Sequence, residues 1–129
     1  MIHHLGLVVS DFVRSMPLYD ACLNPLGIRR IETDMDWAIW APDSGMPFIW
    51  IGSEIPSYWK ATYQAGQAPM HLALSASNRE EVDRFYAGAL EHGAEDNGPP
   101  GPRTGHGNYY SAFIIDLDGN NIEATARDD

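Results

Sequence analysis

The sequence predicts an α+β domain built from two tandem βαβββ modules, and three observations carry that prediction. The segment Met1-Ile2-His3-His4-Leu5-Gly6-Leu7-Val8-Val9-Ser10 returns in the second half as Pro69-Met70-His71-Leu72-Ala73-Leu74-Ser75-Ala76-Ser77. Each copy alternates like a half-buried strand, carries a histidine near its start, and ends in a serine that opens a helical pattern. After each helical pattern come short apolar runs separated by turn signals. The 129 residues thus read as a single domain of two modules, 1–52 and 69–127, joined by a linker over 53–68.

In the first strand Leu5, Leu7 and Val9 share one face while His4, Gly6 and Val8 share the other. The second copy places Met70, Leu72 and Leu74 opposite His71, Ala73 and Ser75. The bulky rows should pack under helices, so the histidines point away from them, beside small residues that leave room. Ser10-Asp11 reads as a helix start, followed by Phe12, Met16, Tyr19 and Leu23 on one stripe. Pro17 lies inside that stripe, and an interior proline costs about 3 kcal/mol, so a kink or break is expected there. Pro25 and Gly27 end the segment. The second helix opens on a capping-box pattern of Ser77 and Glu80, buries Val82, Phe85, Tyr86, Ala89 and Leu90, and closes at Gly93. Strands are expected over 28–32, 37–41 and 47–51 in the first module. In the second they are expected over 94–96, 108–116 and 120–126, with Asp118-Gly119 as the last turn. The segment 97–107, with Gly98-Pro99-Pro100-Gly101-Pro102, has no counterpart in the first module. It reads equally as binding apparatus or as a solvated insertion.

The net charge is -10 and the eight Lys and Arg are scattered, which speaks against a nucleic-acid or anionic-membrane surface. Cys22 is the only cysteine, so the fold does not rely on an intrachain disulfide, and its helical setting reads as a small buried residue. No apolar stretch approaches the roughly 20 residues that cross a bilayer, and the start of the chain lacks the pattern of a secretory signal. A cytoplasmic protein is the expectation.

Near the end of the chain, Glu123 alternates with Ile122 and Ala124 and faces away from both. Alone it is an ordinary strand carboxylate, as either histidine alone is an ordinary strand histidine. Together His4, His71 and Glu123 form two imidazoles and one carboxylate on strand faces turned from the helices, a facial set that leaves metal positions open. His3 alternates to the helix side.

His4-Leu5-Gly6-Leu7, its repeat His71-Leu72-Ala73-Leu74, and the ending Asp116-Leu117-Asp118-Gly119-Asn120-Asn121-Ile122-Glu123-Ala124 resemble the vicinal oxygen chelate superfamily. That is the glyoxalase I, bleomycin-resistance and extradiol-dioxygenase group. The resemblance spans essentially the whole chain. It implies two βαβββ modules curled into a cupped mixed sheet with helices outside, and a homodimer. It also implies a divalent metal ion (Fe, Mn, Ni or Zn) held by His4, His71 and Glu123. The implied activity is a metal-dependent lyase, isomerase, dioxygenase or transferase acting on a small substrate with vicinal oxygens. The alternative is a non-catalytic, bleomycin-resistance-like protein that sequesters a small molecule. The glyoxalase I pattern has a fourth ligand, a carboxylate at the end of the first module, and alignment of the modules puts Trp50 there.

For substrate binding the candidates are Trp50, Trp37, Tyr109 and Arg103. Phe48 and Trp50 alternate with Ile49 and Ile51, which turns Trp50 into the cup. Arg103 and His106 lie in the Gly/Pro segment and are suited to gripping an anion or moving a proton. Glu123 itself or His106 is the candidate base. His92 reads as a complement to its helix dipole.

Overall fold

In the computed structural model, which describes residues 1–128, the first module folds as a βαβββ unit and the second as the same unit with one short strand added. The first comprises β1 (His4–Val8), α1 (Phe12–Leu23), β2 (Arg29–Thr33), β3 (Trp37–Ala41) and β4 (Phe48–Gly52). The second comprises β5 (His71–Ser75), α2 (Arg79–Glu91), β6 (Glu95–Asp96), β7 (Gly101–Arg103), β8 (Tyr109–Ile115) and β9 (Asn121–Arg127). Strands β2, β4, β6, β8 and β9 each begin one residue later than the pattern predicts. The 97–107 segment is not wholly irregular, because β7 within it pairs antiparallel with β8.

Each module has its own mixed sheet, in the orders β1-β4-β3-β2 and β5-β9-β8-β6. The expected cup is therefore two sheets, with β1 and β5 both at an edge. The internal repeat is exact in register. His4 stands opposite Phe48 and Gly6 opposite Trp50, as His71 stands opposite Asn121 and Ala73 opposite Glu123. Trp50 thus occupies in the first module the place Glu123 holds in the second.

One apolar core joins the modules. Helix α1 contributes Phe12, Leu18, Tyr19, Cys22 and Leu23, and α2 contributes Val82, Phe85 and Ala89. The sheets answer with alternate residues, Leu7, Val9, Trp40 and Ile51 from one, Ala112, Ile114, Ile122 and Ala124 from the other. Full burial of each large side chain is worth about 1.5–3 kcal/mol. Trp40 also satisfies its indole N–H, which donates to Asp20 Oδ1 at 2.9 Å. Cys22 is fully buried, and burial pushes its thiol pKa upward, so it is a core residue and not a nucleophile.

Three local expectations are corrected. Helix α1 runs unbroken through Pro17. Pro17 and Val13, whose carbonyl loses its partner, both lie on the exposed face, where water can satisfy that oxygen. The cap of α2 is Asn78, not Ser77: Asn78 Oδ1 accepts from the Glu81 N–H at 2.9 Å, and the Ser77 N–H donates to Glu81 Oε2. The box is shifted one residue because an asparagine side chain is an equally good cap. His3 does not face a helix; it is exposed, and its Nδ1 lies 2.8 Å from His4 Nδ1. His92 caps α2 as expected, with Nδ1 2.9 Å from the Gly88 carbonyl.

The turn 116–120 ties the second module to the first. The buried Asp116 carboxylate accepts from the Tyr19 hydroxyl of α1, from the Asp118 and Asn120 N–H groups, and from Asn120 Nδ2. Asp118 in turn accepts from the Ser10 N–H just after β1. Asn120 Oδ1 accepts from the Met70 N–H at 3.0 Å, which fixes the start of β5 next to His71. Gly119 supplies the positive φ (87°) that the tight turn requires.

Helices α1 and α2 cross where Gly88 meets Ala21. A Cβ at Gly88 would lie 2.6 Å from the Ala21 carbonyl oxygen, a backbone atom that cannot swing aside. Helix propensity favours alanine over glycine by about 1 kcal/mol, whereas overpacking costs about 1–3 kcal/mol. Gly88→Ala is therefore expected to lower stability by a net of up to about 2 kcal/mol in urea unfolding. A stabilised variant would mean the helix crossing is looser than this contact implies.

Candidate functional site

On the open face of the second sheet, β5 and β9 run parallel and bring His71 and Glu123 together. His71 Nε2 lies 3.2 Å from Glu123 Oε2, and His71 Nδ1 lies 3.1 Å from the Asn121 carbonyl oxygen. A carbonyl only accepts, so Nδ1 carries a proton, and Nε2 is the nitrogen that meets the carboxylate. A proton bridges such a pair, and a cation can take its place. Metal-bound histidines are commonly held in this way, with the distal nitrogen on a backbone carbonyl. Asn121, on the same face of β9 as Glu123, keeps a buried Oδ1 without a hydrogen-bond partner among the described residues. Imidazole nitrogen and carboxylate oxygen form a donor set that suits a divalent ion of the borderline class.

His4 does not join that set. It lies on the open face of the first sheet, stacked on Phe48 with ring centroids 4.7 Å apart and planes 4° from parallel. Among the described residues no group of three or more His, Cys, Asp or Glu side chains is placed to hold a metal ion. The expected set of His4, His71 and Glu123 is thus divided within one chain, two residues on one sheet and one on the other. Separate sheets are the cause, since β1 pairs only with β4 and β5 only with β9.

The substrate candidates divide the same way. Arg103, His106 and Tyr109 line one cavity of about 430 Å³ together with Glu123, Phe113, Ser111 and Thr125. Trp50 lines a second cavity, of about 280 Å³, with His4, Gly6, Phe48, Tyr58 and Trp59. Trp37 adjoins it, in a hollow shared with Trp50, Glu54 and Tyr58. Trp50 turns to the open face as expected, between the buried Ile49 and Ile51. Its ring lies over Gly52, where any Cβ would come within 2.7 Å of it.

His106 sits between Gly105 and Gly107, both at positive φ, at the exposed tip of the loop. Tyr109 is half-buried in the strand behind it. Sequence reasoning missed Phe113, which pairs directly with Glu123 across β8 and β9 and stacks on His71 at 6.2 Å. Counting back from the Asp118-Gly119 turn would have placed it there. It also missed Asn121, whose carbonyl orients His71; nothing in a strand pattern marks a backbone acceptor.

A family model described as "Glyoxalase/Bleomycin resistance protein/Dioxygenase superfamily" matches residues 1–124. Among solved structures, a glyoxalase/bleomycin resistance protein from Albidiferax ferrireducens T118 is 31% identical with a TM-score of 0.79, over 98% of this chain and 99% of that one. A glyoxalase/bleomycin resistance protein/dioxygenase from Alicyclobacillus acidocaldarius shares the fold at 18% identity and TM-score 0.60, over 100% and 92% of the two chains. A glyoxalase/bleomycin resistance protein/dioxygenase family enzyme from Burkholderia phytofirmans PsJN does so at 16% identity and TM-score 0.65, over 96% of each. No curated protein matches the chain significantly.

Proposed function

Because the chain belongs to the Glyoxalase/Bleomycin resistance protein/Dioxygenase superfamily, we propose that it is a divalent-metal-dependent enzyme acting on a small substrate that offers two adjacent oxygens. The observation that carries this reading is His71 Nε2 meeting Glu123 Oε2 at 3.2 Å beside a substrate-sized cavity. His71 and Glu123 would hold the metal. When bound, such an ion acts as a Lewis acid that polarises a substrate oxygen.

The chain's own groups do the rest. The Asn121 carbonyl holds the imidazole in one tautomer, and Phe113 packs against its ring. His106, at the cavity mouth, is free to take or return a substrate proton, and Tyr109 and Phe113 keep water from the apolar wall. Lyase, isomerase, dioxygenase and transferase chemistry all remain compatible with this set.

In this reading the third ligand, His4, comes from a second copy of the chain. Two features support a homodimer with shared sites. His4 and His71 hold equivalent places on sheets whose edge strands β1 and β5 each have one unpaired side. An apolar groove lined by Leu5 of β1 and Leu72 and Leu74 of β5 lies between them. The test is Mn²⁺ binding by His4→Ala, by His71→Ala, and by the two refolded together. Each variant alone is expected to bind poorly and the mixture to recover about a quarter of the wild-type sites, since half the dimers are mixed and each rebuilds one of its two sites. A mixture no better than its components would refute the shared site.

Trp50→Glu then adds a carboxylate at the place equivalent to Glu123. It is expected to tighten Mn²⁺ binding about tenfold, or roughly 1.4 kcal/mol, in a calorimetric titration. Unchanged affinity would separate the first module from the metal.

The second reading, sequestration without catalysis, is favoured by the aromatic walls of the first-module cavity, Trp50, Tyr58 and Trp59. It predicts tight small-molecule binding that is indifferent to chelators. Among the described residues no helix is long and apolar enough to cross a membrane.

A further inference from the structure

We propose that the segment 98–103 is a cradle for one guanidinium group and makes Arg103 the receptor for a substrate oxyanion. The substrate of the cavity is then a small, flat molecule with a carboxylate or phosphonate at one end. This deepens the enzymatic reading and rests on it for the other end, where two adjacent oxygens reach His71 and Glu123.

The Gly/Pro segment has a definite task. Arg103 Nη2 donates to the Pro99 carbonyl at 2.7 Å and Nη1 to the Pro102 carbonyl at 3.2 Å. Gly98 and Gly101 stand where a side chain would crowd that group: a Cβ at Gly101 would lie 3.0 Å from Nη1, and one at Gly98 3.4 Å from Nη2. Prolines at 99, 100 and 102 stiffen the path between these glycines, so the carbonyls stay aimed at the guanidinium. Below it lies Phe113, with Arg103 Cζ 5.7 Å from the ring centroid.

A guanidinium has five N–H donors, and the two loop carbonyls take one each. Among the described residues no carboxylate lies within ion-pair distance of Arg103, although Arg30 and Arg79 both have one. Arg103 thus lines the cavity with its charge unmatched by an ion-pair partner among the described residues. Its remaining donors have the planar fork that suits a carboxylate or phosphonate.

The placement also sets the size of the substrate. Phe113 is the common neighbour: its ring is 6.2 Å from that of His71 and its Cα pairs with that of Glu123, while Arg103 lies over it from the other strand. The Arg103 guanidinium and the His71 ring thus lie 5.7 and 6.2 Å from the Phe113 ring, which sets the distance between the anion site and the proposed metal site. A flat body stacked along Phe113 and Tyr109 spans the distance.

The experiment titrates the protein as purified with benzoate and phenylphosphonate, following amide shifts by NMR, with benzyl alcohol as the neutral comparison. Both anions are expected to bind more tightly than benzyl alcohol and to shift Tyr109 and Phe113. The tighter of the two identifies the oxyanion. Arg103→Gln should weaken the anions by about 10–100-fold and leave benzyl alcohol unchanged. Arg103→Lys should recover part of the loss, which a purely structural loop staple would not do. Equal anion affinity in wild type and Arg103→Gln, or benzoate no tighter than benzyl alcohol, would overturn the proposal. A separate Mn²⁺ titration keeps the two readings apart. Absent Mn²⁺ binding with benzoate binding intact removes the metal and leaves the anion site standing.

Discussion

Asp116→Ala is expected to cost about 3–5 kcal/mol of stability, measured by urea unfolding. One carboxylate accepts from the Tyr19 hydroxyl, from Asn120 Nδ2 and from two backbone N–H groups. Buried donors left without an acceptor cost about 1–3 kcal/mol each, and partial rescue by water brings the sum below full additivity. Asp116→Asn keeps the shape and one acceptor oxygen, so a smaller loss is expected. A loss under about 1 kcal/mol for the alanine variant would mean that the turn does not hold the modules together.

The same cluster sets an alkaline limit. Burial first, and then Asp116, push the Tyr19 hydroxyl well above its ordinary value of 10.0. A folded-state pKa raised above the unfolded one gives stability that is fully present below pH 10 or so and is lost as pH rises through the folded value. Tyr19→Phe is expected to flatten the alkaline limb of the stability profile while lowering stability at neutral pH.

The second large effect is on metal affinity. His71→Ala is expected to weaken Mn²⁺ binding by more than about 100-fold, because losing only an outer partner of a ligand costs about 10–100-fold. Glu123→Gln should weaken it strongly as well, since it trades a charged oxygen for a neutral one. Both variants should stay folded: His71 is half-exposed, and glutamine preserves the size of Glu123. An unfolded His71→Ala would make the histidine structural, and unchanged affinity in Glu123→Gln would take it out of the coordination sphere.

Much of this was legible in the sequence because the chain repeats itself. A strand with a histidine at its start, twice, located both modules and the faces of His4, His71 and Glu123. The alignment that set Trp50 against Glu123 is borne out by register, Gly6 opposite Trp50 and Ala73 opposite Glu123. What failed was tertiary. Pro17 was judged by propensity, but its exposed setting lets the helix continue. His4 and His71 lie in separate sheets of one chain, and the sequence did not show this division because strand pairing leaves no local pattern. The ending from Asp116 to Glu123 carried the family likeness without revealing that Asp116 clasps α1. The Arg103 cradle depends on which way two proline carbonyls point, which composition alone does not encode.

The most direct test of the account is elemental analysis of tag-free protein purified without a metal column, with His71→Ala alongside. The account predicts close to one equivalent of Fe, Mn, Ni or Zn per chain, lost in the variant. Iron would favour oxygenation, and the others isomerase, lyase or transferase chemistry. Protein that carries no metal, and takes up none when Mn²⁺, Ni²⁺ or Zn²⁺ is added, would contradict the enzymatic reading and leave a small-molecule-sequestering protein in its place.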